Sequence, residues 1–334
     1  MKTLIAALAF TLTAALAPAR AEPGRHWPPP DPAGWPKQAL ASLDQYVAAR
    51  QPVALMLIHD GKPVAAYGDL ARRVDVASIR KSLLSALYGQ AVDEGRIDLD
   101  TTLGALGIDD KEGLTTQERK ATVRDLLSAR SGVYLRAAHE TPPIRRNRPA
   151  RGSHPPGSFF FYNNWDFNAL GTIYRERTGE DIFAAFARQI AGPIGMEDFR
   201  ASDGRYALSP ASRHPAYPMR VSARDLARFG LLYVDGGRWG GRQVVPRDWV
   251  RESTAAHAAT DRPWRAYGYL WWALAPERFG PGAALASGFG GHLLAIVPAK
   301  KLVLVQTVDP HRNPEKIRTR DALKLIEALA RAAP

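Results

Sequence analysis

A serine and a lysine three residues apart are the first groups in this sequence that suggest covalent chemistry. They are Ser78 and Lys81, in the stretch Val76-Ala77-Ser78-Ile79-Arg80-Lys81-Ser82. Leu83, Leu84, Leu87, Ala91 and Val92 follow at helical spacing, which predicts an amphipathic helix ending near Glu94-Gly95. Positions i and i+3 share a helix face, so the Lys81 amine would stand beside the Ser78 hydroxyl. A serine hydroxyl is a weak nucleophile until a base takes its proton. A partly desolvated ammonium near a helix N-terminus has reason to be that base. First-turn N–H groups would also face an oxyanion formed there. The pair alone is not distinctive, because an N-cap serine and a solvated lysine account for the same two residues.

Two further stretches carry polar groups in useful positions. Pro156-Gly157-Ser158-Phe159-Phe160-Phe161-Tyr162-Asn163-Asn164-Trp165 combines a turn, an aromatic run and a Tyr-x-Asn step ahead of a new helix. A phenol close to an ammonium can shuttle a proton, and the Asn164 amide can bond a substrate carbonyl or amide. Aromatic core residues with an asparagine helix cap are the plain alternative. Ser287-Gly288-Phe289-Gly290-Gly291-His292 leads into an apolar strand. Its glycines would let a ligand approach the backbone and would free an N–H as an oxyanion donor. A turn at a sheet edge explains them equally.

The elements that must position these stretches change character along the chain. Residues 38–50 read as a helix, and residues 53–59 and 63–67 as strands joined by the turn pair Asp60-Gly61. Residues 97–103 read as a loop, and Thr122 opens a short helix reaching toward Ser131-Gly132. Residues 137–157 form a long irregular stretch rich in proline and arginine (Arg145, Arg146, Arg148 and Arg151). Helices are expected at 164–178, 181–192 and 222–233, the last opened by a capping box in Ser222-Ala223-Arg224-Asp225. Strands return at 267–274, 292–297 and 302–308, and a final helix covers 314–332. The fold class expected is therefore α/β of the α+β type. An antiparallel sheet is built from both chain ends (22–70 with 266–334) and flanked by terminal helices. A mostly helical domain (71–265) is inserted, and the cleft between the two parts holds the ligand site.

Composition narrows the function. Hydrophobic content is 46% and charged content 23% over 334 residues, enough for a sizeable core. Residues 1–21 read as a secretory signal: Lys2, an apolar run from Leu4 to Leu16, and Ala19-Arg20-Ala21. A periplasmic or secreted protein is the expectation, with no stable membrane insertion after signal removal. There is no cysteine, hence no disulfide. Loss of Lys2 and Arg20 takes the net charge from +12 to +10. That positive charge is scattered, and nucleic acid is not an expected partner. No Gly-x-Ser-x-Gly elbow, His-Glu-x-x-His pair or phosphate loop occurs, so no metal or cofactor is expected.

Taken together and in this order, the three stretches resemble the beta-lactamase and penicillin-binding-protein superfamily, and most closely its class C beta-lactamase-like serine hydrolases. That group includes family VIII carboxylesterases and 6-aminohexanoate-dimer hydrolases. The likeness extends to residues 123–132, 192–196 and 222–230. It implies that Ser78 is the acylated nucleophile, Lys81 its helix partner and Tyr162 the motif tyrosine, with Asn164 contacting substrate. Phe289-Gly290-Gly291 lies where Lys-Thr-Gly or His-x-Gly usually stands, and Gly291 or His292 would give the second oxyanion N–H. Phe289 carries no charge, which weakens the case for a substrate carboxylate unless His292 or an arginine of 145–151 replaces the cation. The expected activity is hydrolysis of a small ester, amide or peptide-like substrate through an acyl-enzyme. A beta-lactamase or D,D-peptidase is the alternative within enzymes, and a non-catalytic envelope binding protein the alternative outside them.

Overall fold

The computed structural model describes residues 27–262, 265–309 and 317–334; the expected secretory signal lies outside them. The first ordered motif follows directly from Asp60-Gly61. Both residues take positive φ (46° and 76°), the backbone that a two-residue hairpin with the right twist requires. This turn joins β1 (Ala54–His59) to β2 (Lys62–Gly68). The other large-sheet strands are β3 (Ala258–Ala259), β4 (Arg265–Tyr267), β5 (Trp272–Leu274), β6 (Ala284–Gly288), β7 (His292–Val297) and β8 (Leu302–Thr307). They form one antiparallel sheet in the order β2-β1-β8-β7-β6-β5-β4-β3. Strand β1 meets β8 in the register Ala54 to Thr307 through His59 to Leu302, so the two ends of the chain build the sheet together. Every residue of β7 and β8 is buried, as the apolar runs 293–297 and 302–305 lead one to expect of strands covered on both faces.

Among the helices are α1 (Lys37–Arg50), α2 (Ile79–Asp93), α3 (Val123–Leu127), α4 (Pro142–Arg146), α5 (Asn164–Thr178), α6 (Ile182–Phe186), α7 (Ala223–Val234) and α8 (Thr319–Ala332), alongside Leu103–Leu106, Arg247–Thr254 and Pro276–Phe279. The terminal helices α1 and α8 pack on each other and are tied by the Arg50–Asp321 ion pair at 2.8 Å. Helix α7 lies across β8, β7 and β1. A side chain at Gly230 would come within 2.5 Å of Val303 and 2.8 Å of Leu294, so the helix approaches the sheet closely only because that position is bare. Between the two sheet segments come most of the helices and three two-stranded ribbons, such as Val74–Asp75 with Arg220–Val221.

Several local expectations change. The segment 267–274 is a hairpin, β4 and β5, because Leu270 takes positive φ (65°) and the chain reverses there. Strand β6 was not expected, since its Ala-Leu-Ala-Ser sequence has no β-branched residue. Sheet pairing begins at Ala258, before the expected return at residue 266. Helix α3 stops at Leu127, short of Ser131-Gly132, and the stretch 137–157 contains the short helix α4. The capping box at Ser222 is half formed: the Ser222 hydroxyl accepts from Asp225 N at 3.2 Å. The Asp225 carboxylate instead accepts from the backbone N–H groups of Glu197, Asp198 and Phe199 at 2.8 to 3.0 Å.

Candidate active site

Helix α2 carries the site, and it is buried nearly all round rather than amphipathic. Its polar side chains anchor it. Ser82 and Ser85 donate to the carbonyls of Leu270 and Tyr269 at 2.7 and 2.8 Å, and Tyr88 donates to Leu170 O at 2.7 Å. The residue before the nucleophile candidate, Ala77, sits at φ +48°, a left-handed conformation costly for a residue with a Cβ. It is held by its N–H to Asp75 Oδ1 at 3.0 Å. Ser78 is the N-cap residue, yet its hydroxyl makes no capping bond. It points to Lys81, whose Nζ donates to Ser78 Oγ at 2.8 Å and to Tyr162 OH at 3.0 Å.

Lys81 is 2% exposed. Its Nζ lies 4.8 Å from the Tyr162 ring centroid and 4.7 Å from that of Phe167, contacts that favour the ammonium. Burial and then the Arg80 charge oppose them and hold the amine well below its ordinary range. Tyr162 shifts the other way. Burial raises its phenol, while a hydrogen bond with Ser78 and the charges of Arg80 and Arg262 hold the rise back. The ring is fixed by stacking on Trp272 (centroids 5.5 Å apart, 14° between planes) and by Phe167 and Tyr267. Tyr162 precedes α5, whose N-cap Asn163 accepts from Trp165 N at 3.2 Å. Asn163 also donates to Val133 O and to the buried Asp166 at 2.6 and 2.8 Å.

The structure brings Ser78, Lys81 and Tyr162 into contact from segments 81 residues apart. Asn164 lines the same cleft with its Nδ2 donated to His139 O at 2.6 Å and its Oδ1 free of any partner. The glycine-rich turn joins β6 to β7 beside Ser78. A Cβ on Gly288 would lie 2.5 Å from Val76 O, so the two backbones touch. The Gly291 N–H donates to Gly288 O at 3.3 Å and is occupied in the turn, whereas those of Phe289 and Gly290 bond to no described residue. His292 is 1% exposed, accepts from Val308 N at 3.3 Å, and burial pushes its pKa down to about 4. It is a neutral core imidazole, not a replacement cation. Two of the four loop arginines are also engaged elsewhere: Arg148 pairs with Glu140, and Arg151 with Glu118 at 2.7 Å.

The surrounding cleft has a volume of about 1440 Å³, and its walls include Phe159, Phe160, Trp272 and Phe289. Phe289 is 64% exposed at the rim. The guanidinium groups of Arg262 and Arg265 lie 5.2 and 5.1 Å from the Trp272 ring centroid. Sequence reasoning missed Arg80, Phe167, Trp272 and Asp166, because charged or aromatic residues inside helical or strand runs carry no motif.

A sheet drawn from both chain ends, with a Ser-x-x-Lys helix and a Tyr-x-Asn segment meeting beside it, defines a beta-lactamase-like fold. The chain belongs to the beta-lactamase family, whose sequence model matches residues 41–327, within the beta-lactamase-like serine hydrolase superfamily. An uncharacterised protein of Alkalihalophilus pseudofirmus is 23% identical over 266 residues, 72% of this chain and 74% of that protein. Among solved structures, a putative 6-aminohexanoate-dimer hydrolase from Bacillus anthracis superposes with a TM-score of 0.70 at 21% identity, covering 93% of this chain and 88% of that one. A penicillin-binding protein homologue from Caulobacter crescentus superposes with a TM-score of 0.66 at 18% identity, covering 89% and 98%. At such identities these likenesses speak for the fold.

Proposed function

We propose that this protein is a serine hydrolase acting through an acyl-enzyme on small neutral esters or amides. The observation that carries the reading is the Lys81 amine in hydrogen-bond contact with both Ser78 Oγ and Tyr162 OH. With Lys81 shifted toward the neutral amine and Tyr162 toward the protonated phenol, Lys81 is the better first proton acceptor. As Ser78 Oγ bonds to the carbonyl carbon, its proton passes to Nζ, and the carbonyl electrons move onto the oxygen. The Ser78 N–H and one of the N–H groups of Phe289 and Gly290, which bond to no described residue, are the proposed donors for that oxyanion, since Gly288 packs against the Val76–Ala77 backbone. The pair then delivers the proton to the leaving group through the Tyr162 hydroxyl. In the second half, water loses a proton to the same pair and attacks the acyl carbon; the bond to Ser78 Oγ breaks, and the pair returns the proton to that oxygen.

The uncharged Phe289 at the rim and the aromatic walls favour partly apolar acyl groups, while Arg262 and Arg265 beside Trp272 bring positive charge to the same cleft. The test is turnover of a p-nitrophenyl ester and of a chromogenic cephalosporin by wild type and Ser78→Ala. We expect the ester to be the faster substrate, the variant to lose at least 10³-fold in kcat, and a fluorophosphonate to label wild type alone. Unchanged ester hydrolysis in Ser78→Ala would refute the reading. Faster cephalosporin turnover in wild type would move the substrate class toward beta-lactams.

A further inference from the structure

Arg80 is a buried cation with no anionic partner among the described residues. It is 3% exposed, donates from Nη1 to Ala77 O at 3.0 Å, and lies over the Tyr217 ring with Cζ 5.1 Å from the centroid. Its Nε and Nη2 are buried without a hydrogen-bond partner, as is the hydroxyl of Tyr217, and no described carboxylate forms an ion pair with it. Taking a guanidinium out of water uncompensated is costly. The fully buried Arg228, by contrast, stands against both Glu197 and Asp225. A helix needing only shape at position 80 would be served by methionine or glutamine. Unpaired charge retained at that cost, two residues from Ser78 and adjacent to Lys81, points to an electrostatic use.

We propose that Arg80 is a positioning residue whose unpaired charge keeps Lys81 in its free-amine state, while its Nη1 bond to Ala77 O steadies the left-handed turn that presents Ser78. This rests on the serine hydrolase reading above. The surroundings leave the effect uncancelled. From α2 itself Lys81 is faced by Ser78, with the Arg80 charge on the neighbouring residue, and from the α5 segment by the Tyr162 phenol and the Phe167 ring. On the α5 side, burial raises the pKa of the Asp166 carboxyl well above its ordinary range, and Ser131 and Asn163 donate to it. His139, from the loop across the cleft, is pushed toward neutrality by burial and then by Arg80. Asp75, ahead of the helix, is exposed and 3.7 Å from Arg205. Arg262 adds positive charge toward Tyr162. Arg80 accordingly pushes Lys81 toward the neutral amine and Tyr162 toward the phenolate, both of which favour proton uptake from Ser78.

The experiment is the pH dependence of kcat/KM for a p-nitrophenyl ester with wild type, Arg80→Met, Arg80→Gln and Arg80→Lys, alongside fluorophosphonate labelling and circular dichroism. Lys81 must lose its proton to act, so its pKa sets the acidic limb. Removing the neighbouring charge raises that pKa. The limb of the Met and Gln variants is expected to move up by roughly one pH unit, about a tenfold loss at a fixed pH below it. Arg80→Lys keeps the charge and the wild-type limb. Neutral variants whose limb superimposes on wild type, with Ser78 still labelled, overturn the role of Arg80 and leave the hydrolase reading intact. Loss of folded protein in both neutral variants assigns the charge to stability and overturns it equally. Absent labelling and turnover in wild type would instead remove the reading beneath.

Discussion

Chemistry at this site depends on where two backbones touch, and Gly288 is the residue that allows it. A Cβ there meets the carbonyl oxygen of Val76, which is backbone and cannot turn aside. Gly288→Val must therefore push β6 away from the turn that presents Ser78. A displacement near 1 Å at reacting groups costs on the order of 10²-fold. We expect kcat in Gly288→Val to fall by about that factor, with KM changed less, as steady-state kinetics on an ester substrate would show. Residues of this kind were only partly legible. Ser78, Lys81 and Tyr162 stand in motifs whose spacing carries meaning. Arg80 stands one place from Lys81, yet an arginine in a helical run reads as a solvated residue; only its burial and missing partner mark it out. Of the two expected oxyanion donors, Gly291 spends its N–H on Gly288 O inside the turn, which sequence cannot show.

At the scale of elements, side chains fasten loops to helices and so keep the cleft in shape. Asp225, buried in the first turn of α7, receives three consecutive backbone N–H groups from residues 197–199. Asp225→Ala leaves all three without that partner in a buried or half-buried place, and Arg228 loses one of its carboxylates. The expected cost is about 3–5 kcal/mol, read as a lower urea midpoint with an unchanged m value. Sequence reasoning found α7 itself, because Ser222 caps a strongly periodic run. It misassigned the carboxylate of Asp225, since the capping box and the loop strap use the same residue type. The apolar run 267–274 contains Gly268 but no paired turn signal, so its reversal at Leu270 was invisible. Strand β6 was hidden for the opposite reason, its small residues favouring no element.

For the molecule as a whole, acid stability follows from the groups the core encloses. The unfolded chain protonates His292 near its ordinary value of 6.5, whereas the folded chain does so only near 4 because of burial. Between those values the unfolded state binds the extra proton. The His292 contribution is therefore complete above pH 6.5 and lost as pH falls toward 4. Asp166 works with the opposite sign: burial raises its pKa well above 3.8, so acidification removes a penalty. His292→Gln retains an acceptor for Val308 N–H without titrating. Relative to this variant, the wild-type melting temperature should drop progressively between pH 6.5 and 4, and a constant difference would contradict the assignment. The overall architecture was legible because strand-like patterns cluster at the two chain ends and helical ones between. That arrangement also governs how the protein comes into being. Strand β1 has β8 as its sheet neighbour, with Ala54 opposite Thr307, so about 250 residues must emerge between the two halves of one ladder. A growing polypeptide thus carries an unclosed sheet edge for most of its synthesis. Until β8 has been made, that edge needs shielding from other chains.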